Sequence, residues 1–296
     1  SSDVCSSDLV FPDSTSTLSL SGNTTLNYSD TLSIGTLELE NFALTLDDAM
    51  EGLTVSQAVT LDAATEQIIS GDADLSLNGG ITVSAGTLSS SGGTVSASSL
   101  SAGAAGILNF QGGTLSLPNG ATAVSGASFT TSATTISLGG TLAVADSWTS
   151  TGTGISLTAD AELSSTAAAG LATLETNGYD FKLASDTTEL TLANVFTLAT
   201  GKLSTQGADL IFASRADISS GATLDATVLT GAGGKLEFQQ GGTAAGTINA
   251  SNAVFKIGSA YTVTGTLKTN SGTIWELGTA DALAYLDLSG GTLELG

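Results

Sequence analysis

One short phrase constrains this chain more than any other feature: a glycine turn followed by a strand of the form G-T-L-polar-apolar. It reads GTLELE at Gly35, GGITVS at Gly79, GGTVSA at Gly92, GGTLSL at Gly112, GGTLAV at Gly139, GGKLEF at Gly233, TGTLKT at Thr264 and GGTLEL at Gly290. Glycine accepts the positive φ of a tight turn without steric cost, and the alternating residues after it place one face inward and one outward. Each phrase is therefore a turn and a short strand.

The spacing of these phrases sets the architecture. From Gly80 to Leu100 the text GITVSAGTLSSSGGTVSASSL holds three such strands with turns about six or seven residues apart, so one full coil takes roughly 20 residues and has three faces. Gly93 to Gly113 and Gly201 to Gly221 keep that interval. Gly113 to Gly140, Gly207 to Gly234 and Gly265 to Gly291 exceed it by about one strand. Insertions at a corner lengthen a coil without disturbing the stack, so the sequence predicts an all-β parallel solenoid over residues 10–296. It would have about 13 coils and a length of roughly 60 Å, as one domain truncated at both ends.

Segments such as TTLNY, FALTL, TELTL, DLIF and KLEF alternate with period two, and Gly and Thr lower helix propensity. The Ala-rich stretches Ser164 to Leu174 and Asp281 to Leu288 are the two places where a helical turn competes; coil or strand is expected there as well. Only Pro12 and Pro118 occur, as suits inner strands that must donate their N–H groups. A sandwich array or a propeller is the all-β alternative. Sandwich turns come every 8 to 12 residues around bulky cores, whereas aromatics are 5% of this chain. A thin interior of Leu, Val, Ile and Ala is expected instead.

Composition excludes several functions. Against 28 Asp and Glu stand 6 Lys and Arg and no His, for a net charge of -22, so binding to phosphate backbones or anionic lipid is disfavoured. No apolar run approaches the roughly 20 residues that span a bilayer. No Lys or Arg precedes Lys182, and Leu75 to Ala145 carries no charge at all. The basic residues Lys182, Lys202, Arg215, Lys235, Lys256 and Lys268 recur about once per coil, as solvated outward positions or as a binding stripe.

Three kinds of site are conceivable on this frame. Glycoside hydrolysis needs two converging carboxylates, for which Asp47 with Asp48, Asp72 with Asp74, and Asp160 with Glu162 are the pairs; a lyase base beside acid is represented by Arg215 with Asp217. Solvated turns explain each pair better, and no catalytic constellation is assigned. Calcium takes clustered carboxylates, with Asp72 and Asp74 the candidate ligands, although the G-G-x-G-x-D repeat of calcium-binding rolls is absent. An ice-binding surface requires a regular hydroxyl lattice. Thr149, Thr151 and Thr153 alternate, as do Thr262, Thr264 and Thr266, yet no T-x-T recurs once per coil.

Two resemblances complete the reading. The first nine residues, SSDVCSSDL, resemble a translated sequencing adapter; they and Cys5 are set aside as a scar, leaving no cysteine for a disulfide or a metal. The phrases GGTLSL, AYTVTGTLKTNSGTIWELG and LATLETNGYDFKL resemble the autotransporter-associated β-strand repeats of bacterial passenger domains and surface adhesins. That resemblance implies a right-handed parallel β-helix, an extracellular or cell-surface location, and a structural or adhesive role toward a host surface, a glycan or another surface component. A polysaccharide-active enzyme and a glycan- or calcium-binding module are the alternatives. Uncapped strand edges also predict end-to-end self-association.

Overall fold

A computed structural model of the chain describes residues 2–5, 15–146, 148–227, 234–278, 286–288 and 290–295. The described residues contain strands and turns with no helix, and every strand pairing is parallel, giving a β-solenoid of about 12 turns. The chain divides into two compact units, Ser1–Thr153 and Gly154–Gly296.

In the first unit, three strands per coil stack on their counterparts one coil later. One face is built from Thr31–Ile34, Gly52–Val55, Asp74–Leu77, Thr94–Ala97, Thr114–Leu117 and residues 135–138. A second carries Thr24–Asn27, Ala43–Leu46, Gln67–Ile69, residues 87–90 and 107–111, Ser128–Ser132 and Thr149–Thr151. The third runs through Thr36–Glu38, Val59–Leu61, residues 81–83 and 100–102, Gly120–Ala123 and residues 141–144. Leu88 lies over Leu108 and Leu108 over Phe129, whereas Leu44 reaches Ile68 only after a longer coil. Longer coils of this kind bring the count below the 13 expected. Ser2–Cys5, set aside on sequence grounds, pairs with Thr24–Asn27, because a parallel ladder is made by backbone and accepts almost any sequence.

The second unit repeats the plan. Ala169–Leu171, Glu189–Leu192, Asp209–Phe212, Lys235–Phe238, Val254–Ile257 and Ile274–Leu277 form one continuous sheet. Phe181–Leu183, Lys202–Ser204, Thr223–Asp225, Thr247–Asn249, Thr266–Thr269 and Thr292–Leu295 form the next. On the third face Phe196–Leu198, Ala216–Ile218, Gly242–Ala244, Tyr261–Val263 and Leu286–Asp287 are laddered. Ser164 to Leu174 is strand interrupted at 166–168 and at 172, with no helical turn, as expected. Of Asp281 to Leu288, the first five residues lie outside the described residues.

Inward positions form columns that run through successive coils. In the first unit Leu32, Leu53, Leu75, Val95, Leu115 and Ile136 stack in register, all buried. The few aromatics are not scattered, as a purely aliphatic interior would have them, but gathered. Phe110, Phe129 and Trp148 follow one another, with Phe129 and Trp148 stacked at 5.5 Å. In the second unit Phe196, Phe212 and Phe238 stack at 5.2 and 5.0 Å, and Phe238 meets Tyr261 at 4.3 Å. Register explains the Phe212–Phe238 pair, ladder counterparts about 4.8 Å apart and so close to the stacking distance of two rings, while Phe196 and Tyr261 reach that pair from the adjacent face.

The corners explain the glycines. At Gly113 φ is 64°, and an added Cβ would strike the Gly93 carbonyl of the coil below. Gly221 has φ 87° but no atom within 4 Å of such a Cβ. Gly221→Ala is therefore expected to cost about 1 kcal/mol, the left-handed backbone alone, and Gly113→Ala more than about 2 kcal/mol because coil spacing must also give way. Urea unfolding of the two variants measures the difference.

Candidate functional site

Most of the carboxylates that sequence pairing singled out are engaged between coils. Asp74 Oδ1 accepts the Thr94 N–H at 2.6 Å, and the Asp72 N–H donates to Asp48 Oδ1 at 3.2 Å while Asp72 Oδ1 accepts from Ser91 Oγ at 3.4 Å. Asp160 Oδ1 accepts the Asp180 N–H at 2.9 Å; Glu162 pairs with Lys182 at 2.9 Å. Asp47 Oδ1 accepts the Ala49 N–H within its own turn. The structure thus brings Asp48 and Asp72 together on neighbouring coils and gives Asp72 and Asp74 separate partners. Among the described residues no group of three or more Asp, Glu, His or Cys is arranged to hold a metal ion.

A rule lies behind these contacts. An Asp or Asn just before a strand or within its first two residues receives the backbone N–H of its counterpart one coil on: Asn23 from Ala43, Asp180 from Lys202, Asp209 from Lys235 and Asp217 from Thr243, at 2.7 to 3.0 Å. At a corner the carbonyl that would continue the ladder has turned away, and the carboxylate takes its place. Glu66 is the buried form of the same device, accepting N–H groups from Asn41, Asp62 and Ala63. It was missed in the sequence because its partners are 25, 4 and 3 residues away and share no motif.

All six basic residues are ion-paired: Lys182 with Glu162, Lys202 with Asp225, Arg215 with Asp217, Lys235 and Lys256 both with Glu237, and Lys268 with Glu294. No free basic stripe is left. Burial works to raise the Glu237 carboxyl, but hydrogen bonds from Lys235 and Lys256 outweigh it and hold the group below the usual carboxylate range. Asp217 is lowered on balance in the same way, burial opposing and Arg215 and Thr243 prevailing; Asp225 follows with Lys202 and Thr227.

Two further features stand apart. Tyr261 is fully buried, and its hydroxyl has no hydrogen-bond partner; burial, aided by the Asp217 carboxylate, pushes that hydroxyl up. Between Thr173–Glu175 and Phe196–Leu198 no ladder forms among the described residues, and an open groove of about 390 Å³ lies there. Glu175, Asn177, Thr197 and Thr200 line it beside Val195, which is 60% exposed.

No protein-family model, curated protein or solved structure matches the chain. The geometry therefore has to carry the functional reading by itself.

Two outcomes follow. Because the Glu237 carboxyl is held below its ordinary value, it contributes stability that is fully present above the usual glutamate range and lost as pH falls below that range through the lower folded-state value, so Glu237→Gln should cost about 1 kcal/mol at neutral pH and close to nothing once the acid is protonated. Urea midpoints of both proteins across the acid range check the sign. Tyr261→Phe removes an unsatisfied buried hydroxyl and should leave stability unchanged or raise it by up to about 1 kcal/mol in the same assay.

Proposed function

We propose that the chain is part of a structural or adhesive extracellular rod, of the kind formed by bacterial surface passengers and adhesins, which projects and spaces other groups on the cell surface. The supporting observation is the fate of the charged residues. Carboxylates that would have to converge in a catalytic cleft are instead hydrogen-bonded from coil to coil, where they reinforce the stack. The repeat phrases and their resemblance to autotransporter-associated repeats agree with this role, as does an acidic surface that disfavours nucleic acid. Stability of such an array is the sum of coils and of the contacts between neighbours. Host surfaces, glycans or other surface components are its contacts, and end-to-end association with further copies would lengthen it.

A glycan-binding reading draws on the groove beside Glu175, where an acid, an amide and hydroxyls sit next to an exposed valine. Glycan arrays and polysaccharide digests separate these roles. The rod reading expects no turnover of acidic or neutral polysaccharides and a graded fall in stability as whole coils are removed from one end. Turnover that disappears on changing Asp72 or Asp160 would overturn it. Retention of a glycan without cleavage, abolished by Glu175→Ala, would support the binding module.

A further inference from the structure

The face of the first unit that begins with Thr31–Ile34 carries a feature hidden in the sequence. Its outward positions form two columns. One is Ser33, Thr54, Ser76, Ser96, Ser116 and Ser137, a hydroxyl in every one of six consecutive coils. The other is Thr31, Gly52, Asp74, Thr94, Thr114 and Thr135, with threonine in the last three coils without interruption. The motif is T-x-S rather than T-x-T: it stands at Thr31–Ser33 and then in three consecutive coils at Thr94–Ser96, Thr114–Ser116 and Thr135–Ser137, with Gly52 and Asp74 in place of threonine between them. Thr94, Ser96, Thr114, Ser116 and Ser137 are half-buried and Thr135 is exposed.

The array is two-dimensional and rigidly spaced. Hydroxyls are separated by about 4.8 Å from coil to coil and by roughly 6.6 Å along each strand, two residues at about 3.3 Å each. No register shift interrupts any of its pairings, whereas the neighbouring long strand has one between Val83 and Ala85. Inward-facing Leu75, Val95, Leu115 and Ile136 anchor the strands from behind. Asp74 is the one charge in the two columns, and from Leu75 to Ala145 the chain carries none.

We propose that this face binds ice. The two spacings approach the two oxygen repeats on a prism face of hexagonal ice, so water held by one hydroxyl is positioned to bond with water held by the next. Ordering that layer costs little, because the backbone ladder has already fixed its template. The γ-methyls of Thr94, Thr114 and Thr135 add apolar contact between the hydroxyl rows. A sugar surface is the less suitable occupant: the outward columns hold only Thr, Ser, Gly and Asp, with no aromatic platform for a pyranose ring to stack upon.

Ice-affinity partitioning of the labelled chain tests this, with a protein of similar charge and no hydroxyl face as control. The chain should be enriched several-fold in the ice over the control. Ser116→Tyr or Thr114→Lys, both at the centre of the array, should bring it back to the control level, while Thr122→Tyr on the adjacent face should not. Circular dichroism and urea midpoints establish which variants remain folded, and two array variants are used so that one misfolding leaves the other. Enrichment no greater than the control for the folded chain, or equal loss from Thr122→Tyr, would overturn the proposal.

Discussion

Everything in this structure depends on the parallel backbone ladder that joins each coil to the next. Its hydrogen bonds use no side chain, so residue identity is free to vary wherever the ladder is intact. It constrains identity where the chain turns. There N–H groups lose their carbonyl partners, and at some corners the coil below comes within contact of any added Cβ. The first need is met by Asp74, Asp160, Asp180, Asp209 and Asp217, and the second by glycines such as Gly113. Much of the acidic character and much of the glycine content thus have one cause.

The ladder also governs the interior. Because counterparts lie directly above one another, a large residue in one coil favours a large or ring-bearing residue in the next, and a column changes character gradually. Leu190, Leu210, Leu236, Phe255 and Trp275 show that progression within a single column. Outside, the same geometry pairs charges vertically or diagonally: Glu162 lies opposite Lys182, and Glu237 lies opposite Lys256. Such contacts are individually modest at a solvated surface. Glu237, shared by two lysines and largely buried, is where they should count most.

How much of this was legible depended on whether the information was local. The turn-and-strand phrase is local, and it yielded the class, the parallel stacking and nearly the number of coils. The partners of Asp74 and Glu66 lie a coil or more away, and no spacing rule finds them because coils differ in length by several residues. The same drift concealed the hydroxyl face. Ser76, Ser96 and Ser116 are 20 residues apart, but Ser137 and Thr54 are 21 and 22 from their neighbours, and alternation between Ser and Thr breaks any search for one residue type. Aromatic columns were lost in an average, since 5% spread evenly and 5% gathered in two stacks have the same composition.

Protonation bears on which functions this scaffold can support. A carboxylic acid that protonates a glycosidic oxygen must hold its proton near neutral pH, which burial without compensating donors achieves. In Asp217, Asp225 and Glu237 burial does act in that direction, yet lysine, arginine, threonine and backbone donors reverse it and keep each group ionised. The donors that make these acids effective ties between coils are the same donors that make them poor general acids. Stack reinforcement and acid catalysis therefore compete for the same residues, and a coil that uses its carboxylates for the first must find others for the second. At Asp217 the competition is complete: Arg215 Nε, the Thr243 N–H and Thr243 Oγ1 all donate to it.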